Sequence, residues 1–388
     1  MNGPGGDLNL LVVAGEESGD LHASRLCEEI RAKVGRPVQL WGSGGDRLAA
    51  LGARLLASSH ELGAIGPAAA IGQLGRYYRL YRSIVAKAIA QRPSAVLLVD
   101  FPDFNLPLAR ALRKRGIGPI VYYISPQLWA WRQGRIKQVR RSVDKMIVLF
   151  PFEVDFYRSR GIQVEYYGHP LASKPIPERD RKSFAQRHGL DESGLMVAVL
   201  PGSRRREVEA MIPIVLEAAG LLAGPEQQIL QLVIASAPNM RREIERGVSN
   251  AGTRLRIRIV EGSEEVLTHC DYGMIKSGTA TLEAALAGIP FCMFYRGSSV
   301  SWHLIRFLLR TKLFALPNLI LGELAVPELV QGQATPRAVA AVLASFVRKD
   351  PKWEIVVQKL GRVRGVLAGA DPYGNAARSV VQLMGSRA

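Results

Sequence analysis

The sequence predicts an α/β protein with two doubly wound parallel-sheet domains that face each other across a cleft. Apolar runs of strand length alternate with segments of helix length along most of the 388 residues. A polar stretch with two prolines, Ser173–Asp180, divides this alternation into two sets. Strands that alternate with helices form βαβ units, so each set is expected to form its own parallel sheet.

The predicted strands follow one another at βαβ spacing in both sets. In the first set they are Leu8–Ala14, Val38–Trp41, Ala95–Val99, Pro119–Ile124, Lys145–Leu149 and Val164–Tyr167. In the second set they are Leu195–Leu200, Gln228–Ala235, Arg256–Val260, Tyr272–Ile275 and Pro290–Tyr295. The last segment, Pro351–Ala388, is predicted to be helical with a break near Gly369–Gly374. Ligands of open α/β sheets bind beyond the carboxyl ends of the strands, so the residues that follow each strand are the candidates for a site.

Composition excludes several classes of protein. The chain is 48% hydrophobic and 22% charged, which is ordinary globular usage. Its three cysteines lack CxxC spacing, which argues against a disulfide framework or a zinc site and favours the cytoplasm. The uncharged stretches Leu62–Gly75 and Ala284–Tyr295 are shorter than the roughly 18 residues of a membrane span. The net charge of +17 predicts attraction to nucleic acid, phosphorylated substrates or an anionic membrane, and charge alone does not choose among them.

Carboxylates follow two strands of the first set. The turn Gly15–Asp20 contains Glu16 and leads into a helix, so it either admits a ligand to the backbone or has its glycines for steric reasons. Asp100 follows Ala95–Val99, where a carboxylate can act as a general base or can cap the next helix. We expect Asp100 to face the cleft and Asp103 or Asn105 to be structural.

Two turns of the second set have features of a phosphate site. Gly202, Ser203 and Arg204 follow Leu195–Leu200, and a guanidinium pairs well with phosphate oxygens. The alternative is a solvated basic turn.

The second of these turns follows Tyr272–Ile275 and opens an apolar helix. Ser277, Gly278 and Thr279 offer backbone N–H groups and hydroxyls at the helix start, and Glu283 lies one turn further on, where it can accept from ribose hydroxyls. An ordinary helix cap is the alternative here.

Basic and aromatic residues are interleaved at helical spacing in two segments. Membrane contacts are predicted there for Arg76, Tyr77, Arg79, Arg306, Phe307 and Arg310. Such faces suit an anionic membrane, although RNA binding or a partly buried helix with solvated arginines would give the same pattern. The histidines show no metal-ligand spacing, so we assign no metal site.

Motifs spread over most of the chain together resemble the lipid-A-disaccharide synthases, glycosyltransferase family 19. The matching segments are Ala14–Asp20, Asp100–Asn105, Ile124–Arg132, Phe150–Glu153, Gly168–Pro170, Leu200–Arg204, Ser277–Glu283 and Leu316–Asn318. One position departs from the family pattern, because Ala69 stands where the family usually has Glu in a hydrophobic, membrane-facing patch. That departure bears on acyl-chain or acceptor specificity and on whether the chain is a divergent sibling.

The resemblance implies a GT-B fold with two Rossmann-like domains. We expect an N-terminal domain on the acceptor and membrane side over residues 1–172 and a UDP-sugar domain over 173–355. A helical tail over 356–388 is expected to pack back on the N-terminal domain. The implied reaction moves 2,3-diacylglucosamine from UDP to 2,3-diacylglucosamine 1-phosphate by inversion, forming a β-1,6 disaccharide without a metal or cofactor.

The resemblance also assigns roles to residues and partners. Asp100 is the implied general base, Arg204, Glu283 and Asn318 belong to the UDP site, and Glu16 lines the cleft. The implied setting is the cytoplasm, with peripheral attachment to the anionic inner leaflet, no nucleic acid partner, and a homodimer in some members. Alternatives are another GT-B enzyme, such as a UDP-N-acetylglucosamine 2-epimerase or a peptidoglycan glucosaminyl transferase, an RNA-binding protein, and a non-catalytic sibling.

Overall fold

A computed structural model describes residues 8–58, 70–223, 230–297 and 311–385. The chain divides into two compact units, one comprising Met1–Ser173 with Gly369–Ala388 and the other Lys174–Ala368. Each unit contains one parallel β-sheet covered by helices. The predicted α/β class with two parallel-sheet domains is therefore confirmed.

The first unit contains a seven-stranded sheet in the order β3-β2-β1-β4-β5-β6-β7, and its paired strands are parallel. Its strands are β1 (Leu8–Ala14), β2 (Val38–Gly44), β3 (Arg54–Ser58), β4 (Ala95–Val99), β5 (Ile120–Tyr123), β6 (Lys145–Val148) and β7 (Val164–Tyr166). Its helices are α1 (Glu17–Val34), α2 (Asp46–Ala50), α3 (Ala70–Gln91), α4 (Pro102–Arg113), α5 (Ile136–Ser142) and α6 (Pro151–Arg158).

The second unit contains a six-stranded parallel sheet in the order β10-β9-β8-β11-β12-β13. Its strands are β8 (Leu195–Leu200), β9 (Leu230–Ser236), β10 (Arg256–Glu261), β11 (Tyr272–Lys276), β12 (Phe291–Tyr295) and β13 (Glu328–Val330). Its helices are α7 (Arg181–His188), α8 (Arg205–Leu222), α9 (Arg241–Asn250), α10 (Glu264–His269), α11 (Thr279–Ala287), α12 (Leu316–Leu321), α13 (Pro336–Val347) and α14 (Pro351–Leu367).

The apolar strands explain why the sheets are buried on both faces. In β1 and β4, alternate side chains join two different core clusters, one on each face of the first sheet. Leu11 and Leu98 belong to one cluster, and Val12 and Leu97 belong to the other. Continuous apolar runs therefore specify central strands of a doubly wound sheet, as the sequence predicts.

The C-terminal helix α15 (Pro372–Gly385) returns to the first unit and packs along α1. Ala376, Ala377, Val380 and Met384 are buried in the core cluster that contains Val12. The preceding helix α14 stays in the second unit, where it packs on α11, α12 and α13.

The structure differs from the sequence prediction in the boundary of the tail and at two sheet edges. The return to the first unit begins at Gly369, not at residue 356, because α14 belongs to the second unit. The edge strands β3 and β13 were not predicted, since β3 is half exposed and β13 has three residues. The predicted start of the strand Gln228–Ala235 lies outside the described residues.

Candidate active site

The carboxyl ends of β8 and β11 border a cavity of about 320 Å³ in the second unit. Strand order reverses between these neighbours, because β9 lies on one side of β8 and β11 lies on the other. Such a switch point is where open α/β sheets bind ligands. The cavity lining includes six of the predicted residues, namely Gly202, Ser203, Ser277, Gly278, Thr279 and Glu283.

Two helices begin at this cavity. Helix α8 starts at Arg205 after the Gly202 turn, whose φ is +121°, and α11 starts at Thr279 after Gly278, whose φ is +141°. Only glycine adopts these φ values without strain, so the two glycines allow the chain to turn sharply from strand into helix. The N–H groups of the first helical turns lack partners within the helix, so both helix starts suit an anion.

Glu283 lies on the wall of the cavity, and a hydroxyl fixes its carboxylate. The Ser263 Oγ donates a hydrogen bond of 2.6 Å to Glu283 Oε2. The second carboxylate oxygen can still accept from a ligand, because an ionised carboxylate has several lone pairs. This arrangement suits the expected recognition of ribose hydroxyls.

Two charged residues of the cavity lining, Glu207 and Lys276, are not among the predicted site residues. The Lys276 ammonium donates to the Glu207 Oε1 at 2.9 Å, and both side chains line the cavity. Lys276 is the last residue of β11, so its place at a strand end was the available signal. The partnership with Glu207 depends on β8 and β11 being neighbours, which the local sequence does not reveal.

Arg204 and Asn318 occupy different settings. The Arg204 guanidinium is 69% exposed and comes within 4.0 Å of Glu207, next to the cavity residue Ser203. Asn318 is fully buried, and its amide bonds to the backbone of Ala325 and Val326 and to the Glu328 carboxylate. It does not line the cavity, and in the structure its amide holds the chain around α12. Its assignment to the UDP site stays a prediction.

In the first unit, Glu16 and Asp100 follow neighbouring strands at the corresponding reversal of strand order, between β1 and β4. Asp100 and Phe101 both have left-handed backbones, with φ of +46° and +50°. Such conformations are strained in non-glycine residues and cluster at functional sites. The Asn105 amide holds this turn by donating to the Asp100 carbonyl at 2.8 Å, which confirms a structural role for Asn105.

The environment of Asp100 makes its carboxyl a weaker acid. Burial and the negative charge of Glu16 raise the pKa of Asp100 to about 6, against a smaller opposing effect of a hydrogen bond from the Phe101 backbone. A carboxylate with a pKa near 6 is a better proton acceptor than an ordinary aspartate, and it is still ionised at neutral pH. Asp103, in contrast, is exposed and pairs with Arg132 and Arg135.

The turn Gly15–Asp20 is partly structural. Asp20 is buried and accepts hydrogen bonds from the backbone N–H groups of Gly45, Arg47 and Leu48, so it caps the start of α2. Gly15 lies against Phe101, whose ring would be 2.3 Å from a Cβ atom at that position. Within this motif Glu16, Glu17 and Ser18 are exposed, and Glu16 is the residue whose charge acts on Asp100.

The predicted membrane residues fall in two regions. Arg76 and Arg79 are exposed on α3, whereas Tyr77 is half buried and packs on Phe101 and Phe104. The exposed aromatic residue of this helix is Tyr78, at 61%, so Tyr78 replaces Tyr77 on the predicted surface. The other predicted contacts and the departure from the family pattern lie outside the described residues, namely Arg306, Phe307, Arg310 and Ala69.

Metal-ligand clusters and membrane-spanning helices are both absent from the part of the chain that the structure describes. Among the residues that the structure describes, no group of three or more His, Cys, Asp or Glu side chains is arranged to hold a metal ion. The expectation of metal-free transfer stays a prediction. Over the same ranges, no helix combines the length and apolar character needed to cross a membrane.

Sequence comparison places these features in a family. A sequence model of the Lipid-A-disaccharide synthetase family matches residues 10–364. The chain belongs to this family. A Lipid-A-disaccharide synthase of Koribacter versatilis is 39% identical over 362 residues, covering 92% of each chain. One of Myxococcus xanthus is 37% identical over 378 residues, covering 97% of each. The resemblance seen in the motifs is confirmed, and the chain is a glycosyltransferase of lipid A biosynthesis.

Solved structures confirm the GT-B fold. UDP-GlcNAc 2-epimerase from Neisseria meningitidis, solved with UDP-GlcNAc, superposes with a TM-score of 0.63 at 12% identity, over 98% of this chain and all of that one. MurG of Acinetobacter baumannii gives a TM-score of 0.59 at 13% identity, over 97% of this chain and all of that one. At such low identity the likeness establishes the fold alone. Family membership, not this likeness, distinguishes the chain from an epimerase or a peptidoglycan enzyme.

Proposed function

We propose that this glycosyltransferase moves 2,3-diacylglucosamine from UDP to 2,3-diacylglucosamine 1-phosphate, with UDP seated in the second unit and Asp100 as the general base. The single observation that supports the nucleotide site best is the cavity at the β8–β11 switch point, where two helices begin. Backbone N–H groups at Ser203, Gly278 and Thr279 bind the diphosphate, and the exposed Arg204 adds a guanidinium. Glu283 accepts from the ribose hydroxyls.

The proposed transfer is a single displacement. The acceptor 6-hydroxyl gives its proton to the Asp100 carboxylate while its oxygen bonds to the anomeric carbon of the donor sugar. The bond from that carbon to the phosphate oxygen breaks, and its electron pair leaves with UDP. Attack from the face opposite the leaving group inverts the anomeric configuration. Donors at the two helix starts stabilise the negative charge that grows on the diphosphate.

The decisive experiment is product analysis. Purified protein is incubated with UDP-2,3-diacylglucosamine and 2,3-diacylglucosamine 1-phosphate, and the products are measured by mass and by nuclear magnetic resonance of the anomeric proton. We expect UDP and a β-1,6-linked disaccharide phosphate, and no effect of a chelator. UDP-binding protein that forms no disaccharide would point to the non-catalytic sibling. An α-linked product would exclude inversion.

The proposed lipid substrates are membrane components, which suggests a function for the positive net charge of the chain. We propose a cytoplasmic protein that attaches peripherally to the anionic inner leaflet, where Arg76, Tyr78 and Arg79 of α3 contact the membrane surface. The net charge of +17 and the exposure of these side chains support the proposal. A homodimer, which the family resemblance allows, is tested by sedimentation in the presence and absence of lipid.

A further inference from the structure

Glu207 and Lys276 form an ion pair inside the cavity of the second unit. The Lys276 Nζ lies 2.9 Å from the Glu207 Oε1, and each side chain is 17% exposed. Exposed ion pairs contribute little to stability, whereas a largely buried charge needs a partner or a ligand. Both residues line the cavity, so the pair lies where it can interact with a bound ligand.

Glu207 lies between the two turns that border the cavity. It belongs to the first turn of α8, and a Cβ atom at Gly202 would come within 2.6 Å of its Oε2. The carboxylate thus occupies space that a side chain at position 202 would fill. From there it reaches across to Lys276, the end of β11, and links the turn after β8 to the turn after β11.

A second contact fixes the Lys276 ammonium. Its Nζ lies 5.5 Å from the centre of the Tyr295 ring, within the range of a cation–π interaction. The ammonium is thus held between a carboxylate and a ring while it lines the cavity. An ammonium has three N–H donors, and the Glu207 Oε1 takes one of them.

The hydrogen-bond donors beside the Glu207–Lys276 pair, and not its net charge, favour an anionic ligand. In the pair, the carboxylate neutralises the ammonium, so the long-range attraction for an anion is modest. A phosphate that enters beside Lys276 accepts from the remaining N–H donors at short range, where a charge-assisted hydrogen bond is strong. The start of α11, three residues further along the chain, adds backbone donors that also line the cavity.

We propose that Lys276 is a binding residue for the diphosphate of the nucleotide and that Glu207 is the positioning residue that holds its ammonium toward the phosphates. This inference rests on the proposed function, because it assigns a further residue to the same nucleotide site. It specifies that part of the affinity for UDP comes from a lysine, in addition to the backbone donors and Arg204.

The test compares UDP with uridine, which lacks the phosphates, by isothermal titration calorimetry on the full chain. Lys276→Met removes the charge and keeps the length of the side chain. We expect it to weaken UDP binding by about 10- to 100-fold and to leave uridine binding unchanged. Lys276→Gln serves the same purpose should the first variant unfold. Lys352→Met, at an exposed lysine of the same unit outside the cavity, is the matched control.

The role of Glu207 is tested by two substitutions. Glu207→Gln keeps an oxygen that accepts from the ammonium, so UDP affinity should stay within about threefold of wild type. Glu207→Ala releases the ammonium and should weaken UDP binding about tenfold, again with uridine binding unchanged. Glu209→Ala, on the exposed side of the same helix in a pair with Arg205, is the control. Equal effects of Gln and Ala would overturn the positioning role.

The outcomes separate this inference from the proposed function. Wild-type protein that binds no UDP would contradict the nucleotide site itself. Wild-type protein that binds UDP, together with a Lys276→Met variant of equal UDP affinity, would overturn the role of Lys276 alone. Parallel loss of UDP and uridine binding in the folded variant would also overturn it, because that pattern indicates a structural role in the cavity.

Discussion

At the residue scale, Asp100 combines features that are unfavourable for stability and useful for proton transfer. Its backbone is left-handed, and its carboxyl is mostly buried beside the charge of Glu16. Neither feature stabilises the folded chain, so the surrounding structure has to hold the residue in place. The amide of Asn105 and the hydroxyl of Tyr122 do so by donating to the Asp100 carbonyl.

Replacing the proposed base, Asp100, should abolish most of the catalysis and leave nucleotide binding intact. Asp100→Asn should lower kcat by about 10²-fold or more, because the Asn amide cannot take up the proton of the 6-hydroxyl of the sugar acceptor. The UDP dissociation constant should stay within about twofold, since the cavity of the second unit is untouched. Kinetics and calorimetry on one preparation measure both. Asp103→Asn, at an exposed carboxylate in the first turn of α4, should keep most of the activity. Full activity of Asp100→Asn would refute the assignment.

The raised pKa of Asp100 predicts an acid limb in the pH profile. Protonation below about pH 6 removes the base, so kcat/KM should fall about tenfold per pH unit there. Because the charge of Glu16 contributes to the raised pKa, Glu16→Gln should move this limb to lower pH. A pH series of initial rates for both proteins tests the shift. Movement toward higher pH would contradict the coupling.

At the scale of single elements, turns whose sequences resemble ligand-binding loops also stabilise the fold. Asp20 lies in the Gly15–Asp20 motif, yet its carboxylate accepts from three backbone N–H groups at the start of α2. Glu153 does similar work at α6, where it accepts from the backbone of Leu149 and Phe150 and from Ser125. The role of Asp20 is visible only in the three-dimensional structure, because α2 lies about 25 residues further along the chain. The contacts of Glu153 with Leu149 and Phe150 are local, and only its contact with Ser125 joins distant segments.

Removing the cap of α2 should cost stability. Asp20→Ala leaves buried N–H groups without their acceptor and should lower the free energy of unfolding by about 2 kcal/mol. Glu28→Ala, which breaks an exposed ion pair with Arg25 on the same helix, should cost at most about 0.5 kcal/mol. Urea unfolding of the two variants gives the comparison. Equal costs would show that the cap contributes nothing.

The sequence was most informative where strands are apolar and central. The runs Leu8–Ala14 and Ala95–Val99 are buried on both faces, so their composition alone predicts them. The edge strands β3 and β13 are half exposed and carry little such signal. For the site, the position after a strand identified Asp100 and Ser277, whereas the Glu207–Lys276 pair and the buried amide of Asn318 depend on contacts between distant segments.

At the scale of the whole molecule, the first unit is completed by residues from the far end of the chain. Helix α15 contributes four buried side chains to the core that also contains β1. Val380→Asp places a carboxylate in that core and should lower the stability of the first unit by about 3 kcal/mol or more. Gln382→Asp, on the exposed side of the same helix, is the control. Hydrogen exchange resolves the loss by unit, and protection lost only in the second unit would contradict the packing.

The proposed membrane attachment depends on how charge is distributed over the whole molecule. Arg76→Glu with Arg79→Glu changes the net charge by four units at one exposed face of α3, so binding to vesicles of anionic lipid should weaken by about tenfold or more. Flotation with anionic and with neutral vesicles measures the effect. Arg241→Glu with Arg242→Glu in α9 makes the same change of charge elsewhere. Equal loss in both variants would show that net charge, not this face, governs attachment.

The late return of α15 has a consequence for synthesis on the ribosome. Residues Lys174–Ala368 can all have emerged while the first unit still lacks α15, so the face of α1 that packs on α15 stays uncovered until residues 372–385 have been made. A nascent or truncated chain that stops at Ala368 presents that apolar face to chaperones and proteases. Termination directly after Ala368 should therefore remove the protein from the cell, even though every residue of the proposed nucleotide site has been made.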